Sequence, residues 1–307
     1  MRLRNASSRR CLVLWPVLIL WLGLVSCGEP RPVTYTDQQL RIVSLAPAIT
    51  HVLIELGLQD AIVAVGDYDD LAPVNTPSLG RFIDLDLEQL TTLAPTHVLA
   101  MTGQAKLPQR VYQMADQGRF VLADTPYPGN VEQVMDSIQQ IGQALGREER
   151  TSQMVREMRY QLDAFSELTA DRERPSALML FSLDPIYASA PNTVNGELLR
   201  IAGGRNVVVE TKVTAPVYDR EALRALAPEV IFLMLPGDPP LDGPDDPRLD
   251  SLRGLGLPAV ENGRVYLLND PTIVHAGPSV VTTAVSMAVA LHPDLAEPIA
   301  EVFRESP

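Results

Sequence analysis

Apolar positions along this chain recur in two rhythms. Short apolar runs bounded by turn residues predict strands at residues 41–45 (RIVSL), 61–67 (AIVAVGD), 176–182 (SALMLFS), 206–210 (NVVVE), 229–235 (EVIFLML) and 264–270 (RVYLLND). Helical spacing covers residues 49–56, where Gly57 is suited to a left-handed C-cap, and residues 194–201, 220–226 and 279–291. Residues 46–48 (Ala-Pro-Ala) read as a turn, and residues 110–124 as a helix followed by a further strand. Between residues 130 and 170 the apolar residues fall only at helical intervals, with Asn130 and Gln133 resembling a capping box and Gly146 dividing two helices. The second of these is long enough to be a rigid connector.

One element occurs twice. EQLTTLAPTHVLAM (residues 88–101) and EALRALAPEVIFLM (residues 221–234) carry Glu, Leu, Leu, Ala, Pro and Met at matching places. Each reads as a short helix stopped by a proline, then a buried strand. A doubled helix-turn-strand within alternating strands and helices predicts an α/β chain of two lobes built alike, each on a mainly parallel sheet. The loop over residues 236–250, rich in Pro, Gly and Asp, belongs on the surface.

The chain begins with four arginines, an apolar stretch and Leu24-Val25-Ser26-Cys27, the pattern of an export signal. The apolar run is shorter than the ~20 residues a membrane span needs, and Pro16 interrupts it. The tetrad resembles the bacterial lipobox, which predicts cleavage after residue 26 and lipidation of Cys27. Gly28 beside it leans toward the outer membrane. Removing the signal takes the 25 Lys and Arg to 21 against 38 Asp and Glu, a net charge of −17. That balance excludes nucleic acid and anionic lipid as partners. Cys27 is then the last cysteine, which excludes an internal disulfide, a thiolate metal cluster and a Cys nucleophile. The expected organisation is a signal over 1–26, a tether over 27–40, lobes over 41–146 and 173–307, and a connecting helix over 147–172.

The run RIVSLAPAITHVLIELGLQDAIVAVGDYDDLAP (residues 41–73) resembles the opening of the periplasmic binding proteins for vitamin B12 and ferric siderophores, the helical-backbone class of ABC-transporter substrate receptors. LDLEQLTTLAPTHVLA, GELLRIAGGRNVV, YDREALRALAPEVI and VYLLNDPTIVHAGPSVV continue the resemblance in the same order. It implies two α/β lobes joined by one long helix, a ligand cleft between them, and modest opening. It further implies a metal chelate as ligand, an ABC permease and its ATPase as partners, a membrane reached through the lipid anchor, a monomer, no cofactor and no covalent chemistry. Glu88 and Glu221 stand where relatives dock on permease arginines. As acids in first helical turns they also complement the helix dipoles.

Loops after the strand ends are the expected ligand contacts, since crevices form there and between lobes. They offer Pro47, Asp67, Tyr68, Arg81, Phe82 and Thr102 from the first lobe, and Asp184, Tyr187, Tyr218 and His275 from the second. Aromatics would stack on a flat chelate and Arg81 would pair with an anionic edge. Phe82 and Ala215 occupy positions where the resemblance puts tryptophan in B12 binders, so another corrinoid, a siderophore or haem stands beside B12. Of four histidines, His97 opens a buried strand and His292 follows a helix, leaving His51 and His275 to face the cleft, a weak zinc signal at that separation beside an axial contact from His275 or a tyrosine to haem iron. Two rivals remain. A hydrolase would need a nucleophile elbow, but no G-x-S-x-G occurs and Ser182 and Ser189 lack an assignable histidine. A ligand-sensing receptor would share the anchor but not need the two glutamates.

Overall fold

In a computed structural model the described residues are 36–103, 105–209 and 212–305. The expected export signal, Cys27 and the part of the expected tether before residue 36 lie outside them. The first half contributes β1 (Ile42–Ser44), α1 (Pro47–Glu55), β2 (Ile62–Val65), a hairpin of β3 (Gly80–Arg81) and β4 (Asp84–Leu85), α2 (Leu87–Leu93), β5 (His97–Thr102), α3 (Gln109–Asp116) and β6 (Val121–Pro126). Its main sheet runs β2-β1-β5-β6, every neighbour parallel. Two helices follow, α4 (Val131–Leu145) and α5 (Glu148–Thr169). The second half adds β7 (Ser176–Leu183), β8 (Ile186–Ala188), α6 (Val194–Ile201), β9 (Arg205–Asn206), β10 (Val217–Tyr218), α7 (Arg220–Leu226), β11 (Val230–Met234), α8 (Pro258–Glu261), β12 (Val265–Leu268), α9 (Val280–Leu291) and α10 (Ala296–Glu305). Its sheet runs β10-β8-β7-β11-β12, with β9 beside β7. The β7, β9, β11 and β12 pairings are parallel, while β8 and β10 enter antiparallel.

The repeat is structural as well as sequential. Asp86 accepts from Gln89 N at 2.8 Å and Asp219 from Ala222 N at 2.7 Å, so each short helix has the same cap. Each ends at an alanine in the left-handed region, Ala94 (φ 44°) and Ala227 (φ 41°), ahead of a proline that disfavours another helical residue. Asn130 caps α4 through Gln133 N at 2.8 Å, and Gly146 (φ 64°) closes it.

Three expectations change. Pro47 is the first residue of α1 rather than a turn residue, since its missing N–H costs nothing there. The strand read at 206–210 ends at Asn206, whose side chain takes the N–H of Val208 at 2.9 Å and turns the chain away. Tyr187 and Tyr218, placed on loops by sequence, lie on the antiparallel strands β8 and β10.

Strand alternation builds three cores. In β5, Val98 and Ala100 join Val43, Leu90 and Phe120 in an outer core; in β11, Ile231 and Leu233 join Leu178, Leu223 and Leu257 in another. The opposite faces, Leu99 and Met101 from the first sheet and Val230, Phe232 and Met234 from the second, meet in one inner core with α1, α4, α5, α6 and α9. Near-continuous apolar runs are required because each sheet is covered on both faces. Gly142 of α4 lies so close to Thr151 of α5 that a Cβ there would sit 1.9 Å from the threonine Oγ1. No helix among the described residues is long and apolar enough to cross a membrane.

Candidate functional site

Strand ends and loops from both sheets converge on a cavity of about 630 Å³, within the size range of small-molecule sites. The first half supplies Phe82, Met101 and Tyr127; the second supplies Phe181, Ala215 and His275. Gly129, Ser189, Thr193 and Thr214 add polar and backbone groups to the wall, and Val194, Val274 and Ala276 add apolar ones.

Phe82 reaches the cavity because it occupies the turn between β3 and β4. That turn is held by Asp67, whose Oδ1 accepts from Ser78 Oγ at 2.6 Å, with Gly80 N donating to the same serine oxygen at 3.1 Å. Gly80 has φ 86°, and a Cβ there would fall 2.9 Å from Asp84 O, so only glycine fits. Asp67 thus positions the aromatic turn. Tyr127 follows directly on β6, is 60% exposed and stands at the rim. Phe181 projects from the last half of β7.

His275 is half-buried in the loop between β12 and α9, which packs closely on α1: a Cβ on Gly277 would lie 3.2 Å from Ala48 O. Burial pushes the imidazole pKa down, Asp70 and Asp270 pull it back up, and His51 lowers it further. Its Nδ1 has no hydrogen-bond partner among the described residues. A neutral imidazole in an aromatic cavity can donate, accept or ligate.

Of the other residues proposed from sequence, Phe82 alone joins His275 on the cavity wall. Thr102 is buried and donates to Asp124 Oδ1 at 2.6 Å, tying the ends of β5 and β6 together. Tyr68 is 85% exposed with φ 63°, and Arg81 is exposed on β3. Tyr187 is on β8, Tyr218 packs against the outer core of the second sheet, and Pro47 starts α1; none of these lines the cavity. His51 lies in a separate depression of about 340 Å³ beside Glu55, with which it forms a 3.5 Å pair. His97 is buried between Thr96 Oγ1 and Ala144 O, at 2.9 and 3.1 Å. No group of three or more His, Cys, Asp or Glu among the described residues is placed to hold a metal ion. Ser189 Oγ shares a 3.0 Å hydrogen bond with Thr193 Oγ1, and Ser182 Oγ accepts from Asp184 N at 3.3 Å, so neither serine is set up as a nucleophile.

Tyr127, Phe181 and Thr214 were absent from the sequence reading. The signal for Tyr127 was available, since it immediately follows a strand end. Glu88 and Glu221 are exposed in the first turns of α2 and α7.

The sequence profile described as "Periplasmic binding protein" matches residues 42–272. YvrC of Bacillus subtilis, an uncharacterized ABC transporter substrate-binding lipoprotein, is 27% identical over 315 aligned residues, covering 92% of this chain and 97% of that one. The vitamin B12-binding protein of Photorhabdus laumondii is 26% identical over 197 residues, 63% of this chain and 70% of that protein. Among solved structures, the periplasmic haem-binding protein HutB of Vibrio cholerae aligns with TM-score 0.69 at 20% identity, over 83% of this chain and 99% of that one. The vitamin B12-binding protein BtuF of Vibrio cholerae aligns at 0.65 and 22%, over 84% and 97%. At such identities the structural likeness speaks for the fold.

Proposed function

This chain belongs to the periplasmic binding protein family, and from that premise we propose that it is the substrate-binding subunit of an ABC importer that captures a metal chelate: a corrinoid, a ferric siderophore or haem. Its relatives are binding proteins, not enzymes. The observation that carries the ligand class is the cavity, whose wall brings together three aromatic side chains, Phe82, Tyr127 and Phe181, with His275, whose pKa burial pushes down. Ring faces suit a flat or aromatic chelate, and imidazole suits an axial position on iron or cobalt. Relatives named for vitamin B12 and a lipoprotein relative of nearly full length support the reading. On this reading the chain is exported, anchored through Cys27 and presents Glu88 and Glu221 to a permease.

The test is a visible spectrum of the purified protein for co-purified chromophore, followed by thermal shift with cobalamins, haem and ferric chelates. A ligand at 100 times its Kd adds about 2.7 kcal/mol of stability. A colourless protein that no chelate stabilises refutes the ligand class. Charge reversal of Glu88 and Glu221 together should abolish stimulation of the permease's ATPase while leaving chelate binding intact. Stimulation that survives would favour a ligand-sensing receptor.

A further inference from the structure

A second groove, about 600 Å³, opens beside the aromatic cavity and shares Gly129, Asn192 and Thr193 with it. It follows α6 from its N-cap, Thr193, to Arg200 in the last turn, a rise of about 10 Å over seven residues. Three arginines from three elements line it: Arg174 ahead of β7, Arg200 on α6 and Arg205 on β9. In a chain of formal net charge −13 this clustering runs against the overall balance. Arg174 Nη1 donates to Arg200 O at 3.0 Å, which holds two of the three elements together. Among the described residues Glu197 is the carboxylate on the groove wall. One of its oxygens accepts Val131 N at 2.8 Å and the other stands 3.7 Å from Arg200, so the lining keeps a balance of about two positive charges.

We propose that this groove is an oxyanion subsite of the ligand cleft, taking a carboxylate or phosphate arm of the same molecule whose chelate core fills the aromatic cavity. The proposal rests on the chelate-binding reading and narrows it: the cargo carries an anionic arm that reaches about 10 Å along α6. Guanidinium groups suit this role because their planar forks meet carboxylate and phosphate through paired N–H donors.

Matched probes separate the arm from the core. Haem and its dimethyl ester differ in two carboxylates, and cyanocobalamin and dicyanocobinamide differ in a phosphodiester-bearing arm. For whichever pair binds, the anionic member should bind the unaltered protein at least ~10-fold more tightly, about 1.4 kcal/mol. Arg200→Gln with Arg205→Gln should bring the two within about twofold while the stripped member keeps its affinity. The corresponding Arg→Lys pair, which keeps the charge, should retain part of the preference and checks that folding is intact. Equal affinities in the unaltered protein, or a preference that persists in the Gln pair, overturns the proposal. Should no chelate bind, the chelate reading fails on its own, and the subsite is read by calorimetry with citrate and inorganic phosphate. Millimolar binding lost in the Gln pair then supports an anionic cargo of another kind, and no binding overturns the subsite. Phosphate binding combined with indifference of both chelate pairs assigns the groove to a free anion and overturns the shared-cargo statement.

Discussion

Replacing Gly142 by alanine is the sharpest test of how α4 is held against α5. In an open helix the change would favour folding by about 1 kcal/mol, because alanine loses less backbone freedom than glycine. Here the new Cβ would lie 1.9 Å from Thr151 Oγ1, 2.7 Å from its Cγ2 and 2.8 Å from its Cβ. Rotating the threonine side chain clears the first two contacts. The third, at 2.8 Å, remains, so the helices must separate by about 0.6 Å or more to bring it to an ordinary 3.4 Å contact. Overpacking of this kind costs about 1–3 kcal/mol, and separation also loosens Ile138 and Ile141 against Val155 and Met158 in the inner core. A net loss of about 2 kcal/mol is expected, or roughly 3 °C in Tm for a chain of this size. Thermal and urea unfolding followed by circular dichroism would measure it. Thr151→Gly removes all three contacts; it should cost stability alone but rescue the Gly142→Ala chain, with a coupling of about 1 kcal/mol or more. A Gly142→Ala protein as stable as its parent, or a double variant that is merely additive, would refute the close approach.

Other outcomes follow from the same structure. Burial holds the pKa of His51, His97, His275 and His292 below the ordinary value of 6.5. The unfolded chain therefore takes up protons first, so their contribution is fully present above about pH 6.5 and is lost as pH falls from there through the folded values; a Tm that is flat or rises between pH 7 and 5 would contradict this. Tyr127→Ala and Phe181→Ala should each weaken chelate binding about 3- to 10-fold by titration, whereas Thr102→Ala should lower Tm and leave affinity unchanged, because its hydroxyl serves Asp124. Arg248 bonds Asp246, Asp238, Pro239 O and Pro240 O, fastening the proline-rich loop; Arg248→Ala should make residues 236–250 the first site of limited proteolysis, and an unchanged cleavage pattern would show the loop is held by something else.

Much of the fold was legible because burial on two faces leaves apolar runs that only a strand can use. The repeat was legible for the same reason: Asp86 and Asp219, Ala94 and Ala227, Leu90 and Leu223 perform identical tasks in each copy. What escaped were elements stabilised by distant partners. β8 and β10 are three and two residues long, and their pairing with β7 and each other has no local signature. The site was read from the rule that ligands gather at strand ends, and that rule names loops without saying which side chain turns inward. Phe82 and Tyr68 are both aromatic loop residues; the hairpin pinned by Asp67 aims one inward, and a positive φ leaves the other in solvent. Thr102 stands at the right strand end, but its hydroxyl finds Asp124 first.

The inner core limits how the cleft can work. Ile49, Leu53 and Leu99 from the first half, Phe165 from α5, and Leu198, Phe232 and Met287 from the second all belong to one continuous cluster. Pulling the halves apart far enough to expose even four such side chains would cost about 6–12 kcal/mol, while a micromolar ligand returns only about 8 kcal/mol on binding. Even the lower figure keeps a widely opened form below about one molecule in ten thousand at rest, since each 1.4 kcal/mol is a factor of ten. Adjustment to a ligand falls instead to segments outside the core, which carry their apolar residues in solvent: the stretch around Tyr68 and Val74 in the first half, and Val209, Val213 and Val217 in the second. Selectivity then resides in side chains and loops around a largely preformed cavity, so exchanging Phe82, Tyr127 or Ala215 should change which chelate binds without changing how the chain folds.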